Sequence, residues 1–195
     1  MRVVLATANP DKARELEAIL GPAGLEVQLR PEGLDDVEET GSTLEENAGL
    51  KAAFVAHATG LAAIGDDTGL FVDALGGAPG IYSARYAGAG ATYADNVAKL
   101  LGALGSVAPP RRARFETAAV LVAPDGRRLA TLGTVHGEIT TAPRGDNGFG
   151  YDPVFVPDGC GGRTMAELDD DEKRAISHRG RALRAMAEAL VAQAG

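Results

Sequence analysis

The stretch 61–72 constrains this chain more than any other. It reads Leu61-Ala62-Ala63-Ile64-Gly65-Asp66-Asp67-Thr68-Gly69-Leu70-Phe71-Val72, two adjacent carboxylates between two apolar runs. Short apolar runs of this kind predict buried strands, and the acids and glycines between them predict a polar turn. Two like charges side by side among buried strands are costly unless a cation offsets them. A fold that accepts this stretch must therefore bring cations to it. Basic segments around Lys12 and Lys173 are suited to phosphate, and a second acidic pair, Glu38-Glu39, lies upstream. Carboxylates for a divalent metal plus cations for phosphate point to metal-assisted cleavage of a nucleotide-like substrate.

The rest of the chain reads as helices interleaved with strands. Residues 2–7 predict a buried first strand. Asn9 can cap a helix with Pro10 at its first position, Ala13, Leu16, Ile19 and Leu20 give that helix an apolar stripe, and Gly21-Pro22 stops it. Residues 25–29 alternate as a strand. Thr43-Leu44-Glu45-Glu46 has the spacing of a capping box. The helix it opens runs to Thr59, with Leu44, Ala48, Ala52 and Val55 on one face and Gly60 at its end. Gly76-Gly77-Ala78-Pro79-Gly80 predicts a loop and residues 94–104 a helix. Residues 114–122 and 127–136 predict two strands joined by the turn Pro124-Asp125-Gly126. Residues 145–153 are glycine-rich and irregular, and the last helix starts near Ser177 with Leu183, Met186 and Leu190 inward. No repeat or low-complexity linker divides the chain, and 195 residues suit one domain with one core or two lobes. The expected class is α/β with a mixed sheet and flanking helices.

Composition excludes some functions. Apolar residues make up 45%, ample for a packed core, yet no apolar stretch approaches the roughly 18 residues of a membrane span. Met1-Arg2-Val3-Val4-Leu5-Ala6 is too short an apolar run for a signal peptide. Cys160 stands alone, so no internal disulfide forms, which suits a reducing cytoplasm. The formal net charge is −8, and the longest basic block is Arg111-Arg112-Ala113-Arg114. Binding a nucleic-acid polymer needs a basic face, whereas a free nucleotide needs only a local cationic pocket. The charge balance therefore disfavours the polymer.

Six groups of residues can carry chemistry. Thr7-Ala8-Asn9-Pro10-Asp11-Lys12 follows a strand and opens a helix, where free N–H groups attract anions. Lys12 opposes the helix dipole there, and a bound anion would remove the conflict. It is not a P-loop, since Gly-x-x-x-x-Gly-Lys-Ser/Thr is absent, and an ordinary capped helix with a solvated lysine is the plain alternative. In Asp66-Asp67-Thr68, one carboxylate can hold metal, the other can take a proton from water, and the hydroxyl can meet a phosphate. Glu38-Glu39 joins them only if it shares that metal; otherwise it favours the nearby helix start. Asn47 and Lys51 share a helix face, which by itself is an ordinary solvated stripe. In Gly148-Phe149-Gly150-Tyr151-Asp152-Pro153 the glycines let a ring stand clear for a base to stack, with Asp152 as acceptor; the alternative is an aromatic that anchors a turn. Ser177 caps a helix and puts His178 and Arg179 in its first turn, close to Lys173. Cations thus stand at the wrong end of two helices, which a bound polyanion explains better than chance.

Together these residues resemble the inosine triphosphate pyrophosphatase family, over nearly the whole chain. The likeness runs through Thr7-x-Asn9-x-x-Lys12, Glu38-Glu39-Thr40-Gly41, Glu46-Asn47-Ala48-x-x-Lys51-Ala52 and Asp66-Asp67-Thr68-Gly69-Leu70. It continues through Leu75-Gly76-Gly77-Ala78-Pro79-Gly80-Ile81-Tyr82-Ser83-Ala84-Arg85, Gly148-Phe149-Gly150-Tyr151-Asp152-Pro153 and Ile176-Ser177-His178-Arg179-Gly180. The resemblance implies an elongated α/β fold of two lobes around a central active-site cleft, a cytoplasmic homodimer, and Mg²⁺-dependent hydrolysis of ITP, dITP and XTP to the nucleoside monophosphate and pyrophosphate. It implies Glu39 and Asp67 as metal carboxylates, with Asp67 the catalytic base. It places the stretch Thr7, Ala8, Asn9, Pro10, Asp11 and Lys12, with Lys51, Thr68 and Lys173, at the phosphates and sugar. Phe149, Gly150, Tyr151, Asp152, His178 and Arg179 fall at the base. Thr68 stands where many members carry Ser, which keeps the hydroxyl. Two other readings remain open on the sequence: a similar pyrophosphatase for modified pyrimidine or guanine nucleotides, and a nucleotide sensor that does not hydrolyse.

Overall fold

The computed structural model describes residues 1–194. In chain order its elements are β1 (Arg2–Leu5), α1 (Pro10–Leu20), β2 (Glu26–Gln28), α2 (Leu44–Thr59), β3 (Ala62–Val72), β4 (Pro79–Gly80), α3 (Tyr93–Ala103), β5 (Arg112–Val122), β6 (Arg128–Ile139), β7 (Phe155–Pro157), α4 (Asp170–Ile176) and α5 (His178–Ala194). The main path of the sheet runs β2-β1-β3-β5-β6-β7, with β4 paired to β3. β1 lies parallel to both β2 and β3, with Val3 opposite Val27 and Ala62. The β3/β4 and β6/β7 pairs are antiparallel. The protein is thus α/β with a mixed sheet, and no helix among the described residues is long and apolar enough to cross a membrane.

The chain divides into two compact units. One holds Met1–Asp67, Thr117–Gly133 and the residues from His178 onward; the other holds Thr68–Glu116 and Thr134–Ser177. In the first, Val3, Leu5, Ile64, Ala119 and Leu121 pack against Leu16 and Leu20 of α1 and Ala182, Leu183 and Met186 of α5. In the second, Leu70, Val72, Phe115, Val135, Ile139 and Phe155 pack with Val97, Leu100, Met165 and Leu168.

The largest departure from the sequence reading is in 61–72. There is no polar turn: β3 runs unbroken through Gly65-Asp66-Asp67-Thr68-Gly69, and neither Gly65 nor Gly69 has a positive φ. α4 and β7 also form where the sequence reading assigned no element. The signal for α4 was present: Asp169 and Glu172 form a reciprocal capping box, the spacing read only at Thr43. At Thr43 itself the box is half made. Its hydroxyl accepts from the Glu46 N–H at 3.1 Å, but the Glu46 carboxylate turns to Ser42, taking the N–H at 2.6 Å and the hydroxyl at 2.8 Å.

Candidate active site

Alternation along β3 resolves the problem of two adjacent acids. Successive side chains of a strand point to opposite faces. Ile64 and Asp66 face α1 and α5, since Ile64 packs with Leu16 and Leu183 and Asp66 meets residues of both helices. Gly65 and Asp67 face α2: a Cβ on Gly65 would stand 2.3 Å from the Ala48 carbonyl, and Asp67 pairs with Lys51. The two carboxylates are therefore neighbours in sequence but belong to different charge clusters.

Asp66 is 2% exposed. Its Oδ2 lies 3.3 Å from Lys12 Nζ and 3.1 Å from Arg179 Nε. Arg179 is equally buried, and its Nη1 donates to Glu15 on α1. Burial alone would push the Asp66 carboxyl up, but Lys12, Arg179 and Lys51 outweigh it and hold the group well below the ordinary carboxylate range. These contacts also answer the misplaced cations. Lys12 stands in the first turn of α1, whose cap Asn9 accepts from Asp11 N at 2.9 Å and Lys12 N at 3.4 Å. Arg179 stands in the first turn of α5. The anion that meets both is the protein's own Asp66, so the polyanion inferred from the sequence is not needed to explain them. Burial, opposed by Asp66 and reinforced by Lys51 and Arg179, still pulls the Lys12 ammonium below its ordinary value.

Asp67 is 6% exposed and shares Lys51 with Glu39: Lys51 Nζ lies 3.1 Å from Asp67 Oδ1 and 3.1 Å from Glu39 Oε1. Burial raises the Asp67 carboxyl, Lys51 and Lys12 oppose without cancelling, and the Glu39 charge adds to the rise. Burial disfavours the Lys51 ammonium, but Asp67, Asp66 and Glu39 prevail and shift it upward. Glu38, by contrast, is exposed. Asp66 Oδ1 and Asp67 Oδ2 are buried and accept no hydrogen bond among the described residues. An orphaned carboxylate oxygen beside a second carboxylate suits a hard divalent cation, which commonly uses one or two protein carboxylates and fills its shell with water and phosphate. No group of three or more His, Cys, Asp or Glu able to hold a metal occurs among the described residues; Glu39 and Asp67, which share Lys51, are two carboxylates that could contribute to such a shell.

Two residues that position this cluster do so in a way the sequence reading did not give them. Gly65 lets the α2 backbone lie directly on β3, which brings Lys51, one turn beyond Ala48, to Asp67. Asn47 is fully buried rather than part of a solvated stripe. Its Oδ1 accepts the Gly41 N–H at 2.8 Å and so ties the segment that carries Glu39 to α2. We expect Gly65→Ala to cost about 1–3 kcal/mol by overpacking and to lower activity as Lys51 is displaced. Urea unfolding and turnover measured together check this, and an unchanged midpoint would show that the close approach is not required.

His178 also belongs to the first unit. Its Nδ1 lies 2.6 Å from the Thr117 hydroxyl of β5, and both are buried. No sequence signal marked Thr117, which is distant in the chain and lies in an otherwise plain strand. Beside the start of α1, a cavity of about 370 Å³ is lined by Thr7, Ala8, Asn9 and Pro10 on one side and by Leu29, Arg30 and Leu34 on the other.

The second unit holds the other group of candidates. Lys173 Nζ and Asp152 Oδ2 form a buried ion pair at 2.8 Å. The same oxygen accepts the Phe149 N–H at 2.9 Å, and Lys173 stands 5.0 Å from the centre of the Phe149 ring. Gly148 has φ +78°, and a Cβ there would lie 2.2 Å from Asp152 Oδ2. Glycine is thus required where the loop closes over the ion pair. Tyr151 is buried and donates from its hydroxyl to the Ser83 carbonyl at 2.9 Å, and burial pushes its hydroxyl pKa up. Gly150 takes φ +65° between Phe149 and Tyr151. Thr68, next to Asp67 on β3, is half-buried.

Comparison with known proteins bears on this arrangement. A sequence model described as the Ham1 family matches residues 3–189. A dITP/XTP pyrophosphatase of Yersinia pseudotuberculosis serotype I is 51% identical over 193 residues, covering 97% of this chain and 98% of that protein. One from Escherichia coli O157:H7 is 52% identical over 194 residues, with the same coverage of 97% and 98%. Among solved structures, a HAM1 protein from Coxiella burnetii superposes with a TM-score of 0.88 at 42% identity, covering 98% of each chain.

Proposed function

Because the chain belongs to the Ham1 family, we propose that it hydrolyses non-standard purine nucleoside triphosphates, ITP, dITP and XTP, to the nucleoside monophosphate and pyrophosphate. Removing these nucleotides keeps them out of DNA and RNA. One observation carries the assignment of chemistry. Asp67 is buried, ties one oxygen to Lys51 and leaves the other without a partner, while its neighbour Asp66 is bound to two cations. A carboxylate shared by two cations is a poor base, so Asp67 is the general base and Asp66 is the structural anion.

Water attacks the α-phosphorus. Its oxygen forms the new P–O bond, its proton passes to Asp67, and the bond from the α-phosphorus to the bridging oxygen breaks as pyrophosphate leaves. Lys12, Lys51 and Lys173 hold the charge of the phosphate chain, and the segment from Thr7 to Lys12 presents the positive end of the α1 dipole to it. Lys12 suits this role because burial disfavours its charge, and a phosphate oxygen restores a counter-charge that Asp66 divides with Arg179. The Thr68 hydroxyl donates to a phosphate oxygen. Glu39 and Asp67 would hold Mg²⁺, which when bound neutralises phosphate oxygens and lowers the pKa of a nearby water.

Selectivity for a 6-oxo purine needs donors at that oxygen. The tautomer in which His178 Nδ1 accepts from the Thr117 hydroxyl carries its proton on Nε2, which is then the donor. Arg179, held in place by Asp66 and Glu15, follows it in the chain as the second donor. Phe149 stacks the base beside Gly150 and Tyr151, and Asp152 orients Phe149 through its N–H. Adenine presents an amino donor at C6 and leaves these donors unpaired, a mismatch worth up to about 10⁴-fold. We further infer a cytoplasmic homodimer with no nucleic-acid polymer as partner, in keeping with the net charge of −8.

A pyrophosphate-release assay across purine triphosphates tests the reading. The expected kcat/KM for ITP, dITP and XTP exceeds that for ATP and GTP by about 100-fold or more; guanine shares the 6-oxo group, so its rejection falls to a tight wall at its 2-amino group. EDTA should abolish turnover and added Mg²⁺ should restore it. Comparable values for ATP and GTP would remove the claim of discrimination, and full turnover in EDTA would remove the metal.

A further inference from the structure

Phe149 is held on several sides. Its N–H is fixed by Asp152 and its ring lies 5.0 Å from the Lys173 ammonium. The ring has one aromatic neighbour that the mechanism above does not use. Tyr93 packs its ring 5.8 Å from that of Phe149, tilted by 38°. Tyr93 is the first residue of α3, and the residue before it, Thr92, is locked by a reciprocal box: Asp95 N donates to the Thr92 hydroxyl at 3.2 Å, and Thr92 N donates to Asp95 Oδ2 at 2.9 Å. The helix start therefore holds its first side chain in a set place. Yet Tyr93 is 43% exposed, so it gives the core little. A large aromatic kept at the surface by a rigid cap, against a ring meant for stacking, serves that ring.

We propose that Tyr93 is a positioning residue for the base: packed against Phe149, it fixes the tilt of the ring on which the base stacks. This rests on reading Phe149 as the base-stacking residue. Tilted aromatic pairs are favourable, and stacking on an aromatic platform tolerates any flat base. The ligand is the purine nucleotide of the proposed reaction, with the effect confined to its base.

The test compares Tyr93→Ala and Tyr93→Phe with the unaltered protein. Binding of inosine monophosphate and of inorganic tripolyphosphate is measured by calorimetry, and ITP turnover alongside. Tyr93→Ala should weaken inosine monophosphate about fivefold, the scale of one aromatic pair. It should leave tripolyphosphate unchanged, raise KM for ITP with kcat within about twofold, and keep the urea midpoint. Tyr93→Phe should restore the affinity. Unchanged inosine monophosphate binding in Tyr93→Ala, or an equal loss for tripolyphosphate, overturns the proposal. The binding arm needs no turnover, so it judges Tyr93 separately: an unaltered protein that binds inosine monophosphate but does not cleave ITP defeats the hydrolase reading alone.

Discussion

Asp67→Asn is expected to lower kcat for ITP by about a thousandfold, the scale of losing a positioned general base. Asparagine keeps the shape of the side chain and an oxygen for Lys51, but it cannot take the proton of the attacking water. Lys51 retains Glu39 at 3.1 Å, so no buried ammonium is stranded. The urea midpoint should therefore move little, and the loss should fall on kcat more than on KM. Asp66→Asn provides the contrast. It strips Lys12 and Arg179 of their shared anion and should raise KM and lower stability together. Single-turnover kinetics and urea unfolding on both variants separate the two roles. Near-normal turnover by Asp67→Asn sinks the base assignment, and a collapse of Asp67→Asn to the unfolded state sinks the separation of chemistry from fold.

Arg179→Met is expected to destabilise the protein by about 3–5 kcal/mol, because it leaves a buried carboxylate short of a partner. Methionine keeps most of the volume, so the loss reports charge rather than a cavity. Arg179 is 2% exposed and joins Asp66 on β3 to Glu15 on α1 from the first turn of α5. It thus ties together the elements that hold Lys12. Because the residues share one network, the double variant Asp66→Asn/Arg179→Met should be less destabilised than the sum of the singles, with a coupling of about 1–3 kcal/mol. Urea unfolding of the four proteins measures this. Additive losses would mean that Asp66 and Arg179 do not depend on each other, and a wild-type midpoint for Arg179→Met would mean that the network lends the fold nothing.

Much of the framework was legible from local rules. Asn9 and Pro10 announce α1, Leu16 and Leu20 are its buried face, and Gly60 ends α2 with φ +67°. Leu44, Ala48, Ala52 and Val55 are buried as their spacing required. These features depend on residues within one or two helical turns, and such short-range physics is written in order along the chain. The polar centre of β3 was not legible. Asp-Asp-Thr-Gly is good turn chemistry taken alone, and what makes it a strand comes from elsewhere: Arg179 lies 113 residues from Asp66 and Lys51 lies 16 from Asp67.

The sequence by itself determined which residues could do chemistry: two adjacent carboxylates, lysines and an arginine at helix starts, and a glycine-flanked aromatic. Only the tertiary structure decided how they divide the work. The two-residue period of β3 sends Asp66 to α1 and α5 and Asp67 to α2, so one acid is neutralised by two cations and the other by a single shared lysine. Burial makes that division matter, since in a poorly solvated interior the number of cations touching a carboxylate decides how basic it is.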